Sequence, residues 1–115
     1  MERVGIPVFE SRVSPVLDTC TRVLIIDLEQ KRETARREIY LDNLSLAERF
    51  SILKNLEVKC VICGGISDVF HNMLHGHRIG VITGRAGAVE QVLQAYLCDR
   101  LDQPCFLMPG YKICV

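Results

Sequence analysis

Twice in its second half the chain runs a short apolar segment into glycine and then into helical spacing. Residues 58–63, VKCVIC, stop at Gly64 and Gly65, and residues 78–83, RIGVIT, stop at Gly84. After the first stop Ile66, Val69, Phe70, Met73 and Leu74 recur at helical intervals as far as Gly76. After the second, from about Ala88 to Arg100, Val89, Val92, Leu93, Tyr96 and Leu97 do the same. Strands separated by helices cannot meet through a tight hairpin, so this order predicts parallel strands joined by right-handed crossovers.

The first half reads differently. Residues 3–9, RVGIPVF, predict a strand in which Pro7 marks a bend or a dispensable ladder bond. In residues 22–29, RVLIIDLE, Asp27 alone interrupts the apolar positions, which predicts a strand covered on both faces. Residues 34–41, TARREIYL, are charged and mixed, as suits an edge strand hairpin-paired to the one before. Ser45 and Glu48 form a capping box for a helix ending near Asn55, with Leu46, Phe50 and Leu53 as its apolar stripe. The expectation is an α/β fold: a central five-stranded mixed sheet, an antiparallel meander and then parallel strands, flanked by helices. Residues 1–115 form one domain, with an irregular tail from about residue 101. The element order resembles the ribonuclease H-like topology, in which the first strand lies centrally, beside and parallel to the fourth.

Fourteen basic side chains balance fourteen acidic ones, which removes the electrostatic footprint of a nucleic-acid or membrane-surface binder. No segment approaches the roughly 20 apolar residues needed to span a bilayer, and the N-terminus lacks a signal-like pattern, so a cytoplasmic location is expected. In that compartment the six cysteines, Cys20, Cys60, Cys63, Cys98, Cys105 and Cys114, are expected as thiols.

Where those thiols point decides what they can do. Residues three apart on a strand face opposite ways, so Cys60 and Cys63 cannot chelate one ion, and Cys60 reads as core. That geometry also argues against a two-thiol redox enzyme. Cys63 ends a strand expected to be parallel, where ligands of open α/β sheets bind. The following Gly64 and Gly65 admit two readings: bare backbone N–H groups cradling an anion at a helix start, or a tight turn needing positive φ. On the second helix Asp68, His71, Asn72 and His75 lie opposite the apolar set. His71 and His75, four apart, suit a transition metal with Asp68 in support, or an ordinary solvated face. His77 falls at the helix end, where a cationic imidazole suits the dipole. Cys98 lies off the core stripe of the third helix, and no pattern places Cys105 or Cys114.

If the first strand runs parallel to the later two, the loop from Ser11 to Cys20 closes over the same sheet edge as Cys63-Gly64-Gly65 and Thr83-Gly84-Arg85. Cys20, Asp18, Cys63, Gly64, Gly65, Gly84, Arg12 and Arg85 then share one crevice. Thiols beside guanidinium and N–H groups would have lowered pKa values and suit an anionic sulfide-bridged cluster. Two-metal hydrolysis is disfavoured, because the first strand has no internal carboxylate and Cys63 stands where a second would be needed.

The order and spacing of IPVFESRVSPVLDTCTRVLIIDLE, the ICGGIS turn and RIGVITGRAGAVEQVL resemble the dinitrogenase iron-molybdenum cofactor biosynthesis family, the NifX-like and NifB C-terminal-like domains, over residues 4 to about 100. The tail FLMPG is similar to that of some members. The resemblance implies a ribonuclease H-like fold and a non-catalytic role: carrying or inserting an iron-sulfur or iron-molybdenum cluster or its precursor between donor and acceptor proteins. Many members carry His-Phe-Gly where this chain has Val16, Leu17 and Asp18, so a histidine ligand does not carry over. Cys20, Cys63, His71 and His75 are therefore the candidate metal ligands, unless the tail cysteines Cys105 and Cys114 help. The alternative is an interaction or regulatory module with no cluster. No nucleic-acid or membrane partner is expected, and the edge strand with Cys98 leaves room for a homodimer.

Overall fold

A computed structural model describes residues 2–108. The elements are β1 (Glu2–Phe9), β2 (Arg12–Val13), β3 (Arg22–Glu29), β4 (Arg32–Tyr40), α1 (Leu46–Asn55), β5 (Cys60–Ile62), α2 (Asp68–Gly76), β6 (Gly80–Ile82) and α3 (Val89–Leu97), with a 3-10 turn at Pro104–Phe106. They build one mixed sheet of six strands in the order β4-β3-β1-β5-β6, with β2 paired to β1. The expected count of five is corrected to six, because the loop after β1 folds straight back and pairs Val8 with Val13 and Phe9 with Arg12. As expected, β1 lies centrally, antiparallel to β3 and parallel to β5, and β5 is parallel to β6.

Alternation along the strands sorts the side chains into two cores. Val4, Ile6 and Val8 of β1, Leu24, Ile26 and Leu28 of β3, and Ile62 of β5 face α3, where Val89, Val92, Leu93 and Ala95 meet them. Val23 and Ile25 of β3, with Val61 and Cys63 at β5, face the opposite layer, where Leu53 of α1 and Phe70 and Leu74 of α2 cover them. Each such fully buried large side chain contributes about 1.5–3 kcal/mol of transfer free energy. β3 is covered on both faces and β4 is exposed along nearly its whole length, as its charged sequence suggests.

Element ends depart from the expected bounds for local reasons. β4 begins at Arg32 because Gln30 and Lys31 both take positive φ (51° and 62°), closing a two-residue hairpin, and a register irregularity at Asp27/Leu28 absorbs Thr34. The capping box of Ser45 with Glu48 is present at α1. α2 starts at Asp68, with Ser67 as its N-cap. All three helices end in a non-glycine left-handed residue, Glu57, Arg78 and Asp99 (φ 57°, 62° and 57°). The next N–H in each case, from Val58, Ile79 and Arg100, donates back to the carbonyls of Leu53, Leu74 and Ala95. α3 therefore stops well before Arg100. Val69, expected on the buried stripe of α2, is 62% exposed, because the sheet takes only the narrower face of Phe70 and Leu74. The tail is not wholly irregular: Leu107 bridges Arg85, Ala86 N–H donates to the Phe106 carbonyl (2.7 Å), and Met108 N–H donates to the Gly84 carbonyl (2.8 Å). Among the described residues no helix is long and apolar enough to cross a membrane.

Candidate functional site

The carboxyl ends of β1, β5 and β6 share one rim, and the loop after β2 crosses it as expected. Leu17 N–H donates to the Gly65 carbonyl (2.9 Å), Gly65 N–H donates to the Pro15 carbonyl (2.6 Å), and Val16 bridges Gly65 in parallel. The two strand-to-helix turns are tied together: Gly84 N–H donates to the Gly64 carbonyl and Arg85 N–H to the Cys63 carbonyl.

This weave gives the glycine pair a function outside both sequence readings. Neither Gly64 nor Gly65 has positive φ. A Cβ on Gly64 would lie 2.6 Å from the Pro15 carbonyl oxygen, so the space is filled by the protein's own backbone. The start of α2 is likewise occupied from within. The Ser67 hydroxyl accepts from Phe70 N–H, while the Asp18 carboxylate accepts from Ser67 N–H (2.8 Å) and from the Ser67 hydroxyl. Asp18 is thus the anion at this helix N-terminus.

The expected thiolates do not face solvent. Cys63 is 0% and Cys20 4% exposed, both packed among Leu17, Val23, Val61 and Phe70. Burial pushes the Cys63 thiol up to about 12, with nearby Asp18, Cys60 and Cys20 adding to the rise. Burial also pushes Cys20 up to about 11, against the lowering effect of Arg49. The anticipated lowering of thiol pKa is therefore corrected to a rise, because desolvation of a thiolate outweighs the single cation near it. Cys60 points to the other face, as alternation requires. It is half-buried beside the α3-side core, and burial again raises it to about 11.

Above the buried sulfurs lies an open cleft of about 380 Å³. It is lined by Gly64, Gly65 and Gly84 of the two turns, by Asp68 and His71 from the start of α2, and by Thr83 and Met108. His71 thus joins the crevice from which sequence spacing had separated it. His75 stacks behind it, ring centroids 6.4 Å apart and planes 9° from parallel, and does not line the cleft. Arg12 is exposed in β2 and bridges Ala88, and the buried Arg85 guanidinium donates to the Thr83 carbonyl (2.7 Å), so neither lines the cleft. His77 caps α2 and packs edge-on against Phe50. Cys98 and Cys105 are exposed, and Cys114 falls outside the described residues. Among the described residues no three His, Cys, Asp or Glu side chains are gathered closely enough to hold a metal ion by themselves.

Two residues at or near the rim escaped sequence reasoning. Arg49 is buried and donates to the carbonyls of Leu44 (3.1 Å) and Cys20, with its Nη1 3.8 Å from the Cys20 sulfur. Its position among Leu46, Phe50 and Leu53 already placed it on the apolar stripe, a signal that its charge obscures. Met108 carried no signal, since its tail has no period. A second groove of about 410 Å³ lies between α3 and the tail, near Gln94, Cys98 and Phe106; its one carboxylate, Glu90, is held by Arg36.

The fold is shared by known structures. The family model for the dinitrogenase iron-molybdenum cofactor matches residues 3–98. The chain belongs to that family. Among solved structures, the crystal structure of PH0822 is similar with a TM-score of 0.81, at 20% identity over 85% of this chain and 90% of that one. A Methanocaldococcus jannaschii protein provisionally titled a dinitrogenase has a TM-score of 0.72 at 18% identity, covering 85% of this chain and 89% of that one. A Thermotoga protein provisionally titled a NifB protein has a TM-score of 0.71 at 19% identity, covering 87% and 90%. At these identities the likeness is one of fold. Among curated protein sequences none matches the chain.

Proposed function

We propose that this protein is a cytoplasmic, non-enzymatic carrier for an iron-sulfur or iron-molybdenum type cluster or its precursor, received from a donor protein and passed to an acceptor. The carrying observation is family membership over residues 3–98. The cleft at the strand ends, lined by His71 and Asp68, suits that role. Resident iron-sulfur clusters are ordinarily held by four thiolates, so one imidazole with a supporting carboxylate would hold a cluster only loosely, as suits cargo that must leave again. Cys20 and Cys63 lie beneath, and their ligation would require displacing the segment from Pro15 to Leu17. The central β1 parallel to β5 supports a ribonuclease H-like classification.

A second reading, an interaction or regulatory module with no cluster, is favoured by one observation: both rim thiols are buried, which disfavours the thiolate form that a metal would take. Anaerobic reconstitution with iron and sulfide separates the two. A stable charge-transfer absorbance supports the carrier, and a colourless protein supports the module. Loss of the absorbance in His71→Ala assigns the open cleft, whereas loss in Cys63→Ala or Cys20→Ala with His71→Ala unaffected assigns the buried thiols.

A further inference from the structure

We infer that Met108, delivered by the C-terminal strap, is the sulfur ligand of the cleft, taking the place that sequence spacing gave to Cys63 and Cys20. The inference deepens the carrier reading and rests on the cleft being the ligand seat. Of the sulfurs near this rim, those of Cys63 and Cys20 are sealed in the core, whereas Met108 lines the same cleft as His71 and is only half-buried. Met108 already stands at the open cleft, whereas either cysteine would need the loop over it displaced.

The position of Met108 is built. Phe106 packs against the α3-side core beside Gly87, whose φ of 128° sets the path of the turn there. From that anchor the strap crosses the turn after β6 through the Ala86 N–H to Phe106 carbonyl bond, the Leu107–Arg85 bridge and the Met108 N–H to Gly84 carbonyl bond. Backbone bonds on both sides of Leu107 hold the strap beside the turn after β6 as far as Met108.

The donor set defines the ligand class. A neutral thioether and an imidazole bind soft or borderline transition metals and iron-sulfur clusters, and leave Mg²⁺ and Ca²⁺ to all-oxygen sites. Apolar cover for Ile66 would account for a methionine here equally well, and leucine would then serve as well. The difference between Met108→Leu and the unaltered residue therefore carries the test.

The probe is Ag(I), a redox-inert soft cation, titrated into the 115-residue chain labelled at the methionine methyl groups, with Cys98→Ser and Cys105→Ser removing the exposed thiols, Cys60→Ser the half-buried one and Cys114→Ser that of the tail. Met1, Met73 and Met108 are the only methionines, so the spectrum is simple. The expected result is a saturable shift of the Met108 methyl and the His71 ring, with Met73 unmoved. Affinity should fall roughly 10-fold or more in both Met108→Leu and His71→Ala, with the melting temperature of Met108→Leu unchanged. A Met108 methyl that does not move at saturating Ag(I), or a Met108→Leu protein that binds equally well, overturns the inference. If Ag(I) binds as expected but iron and sulfide give no chromophore, the inference stands and the carrier reading falls.

Discussion

The turns after β5 and β6 look alike in sequence, each a strand stopping at glycine before a helix, and they are built on different physics. After β5, Gly64 keeps an ordinary backbone conformation and is glycine because the Pro15 carbonyl leaves no room for a Cβ. After β6, Gly84 takes φ 71°, a left-handed conformation in which an L side chain is strained. The helix starts differ too: α2 is capped by Ser67 and Asp18, while α3 has Ala88 at its N-cap with no side-chain cap and gives Val89 N–H to the Ser11 carbonyl. The lesson is that one sequence signal, glycine at a strand end, can record crowding or handedness, and only the neighbours decide which.

The largest effect that sharpens this contrast is expected from Gly64→Ala. Its new methyl meets backbone that is itself hydrogen-bonded, so the cost is roughly 3 kcal/mol or more by chemical denaturation. Gly84→Ala should cost about 1–2 kcal/mol, the strain of one left-handed residue. A milder loss at Gly64 than at Gly84 would break the contrast.

Next comes the sulfur roofed by the first turn. Below about pH 9 the Cys63 thiol is protonated in both folded and unfolded chains, and its ionisation contributes no pH dependence. Between about pH 9 and the folded value of about 12 the unfolded thiol ionises while the buried one does not, so stability falls as pH rises. Cys63→Val should therefore gain about 2 kcal/mol on the unaltered protein between pH 8 and pH 11. Urea midpoints at the two pH values measure this, and parallel pH profiles would mean that Cys63 is open to solvent.

The smallest effect concerns handedness without glycine. Asp99 holds φ 57° at the end of α3 and is exposed. Asp99→Gly should stabilise by about 0.5–1 kcal/mol, read as a small rise in melting temperature. A loss instead would show that the carboxylate, which lies 3.6 Å from Lys31, matters more than the backbone.

Most elements were legible because their causes are local. Alternation in β1 and β3, the capping box at α1 and the periodicity of α2 and α3 each follow from a few neighbouring residues. The shared rim was legible too, since parallel strand direction places Cys63 and Thr83 on the same edge as the loop to Cys20. What could not be read was depth along that edge. Whether a strand-end thiol emerges or is roofed depends on how low the loop of Pro15, Val16 and Leu17 lies, a contact between residues about fifty positions apart. The β2 rung was hidden because two residues carry no period. Met108 was hidden because its placement comes from backbone bonds of the tail, which leave no trace in side-chain pattern.

The carboxylate of Asp18 on Ser67 has a consequence for how cargo would arrive. With the positive pole of α2 already matched by an internal partner, and the chain neutral overall at formal net charge +0, a polyanionic visitor gains little long-range attraction toward the cleft. Its capture then depends on short-range coordination, and the rate of loading should change little between dilute buffer and concentrated salt.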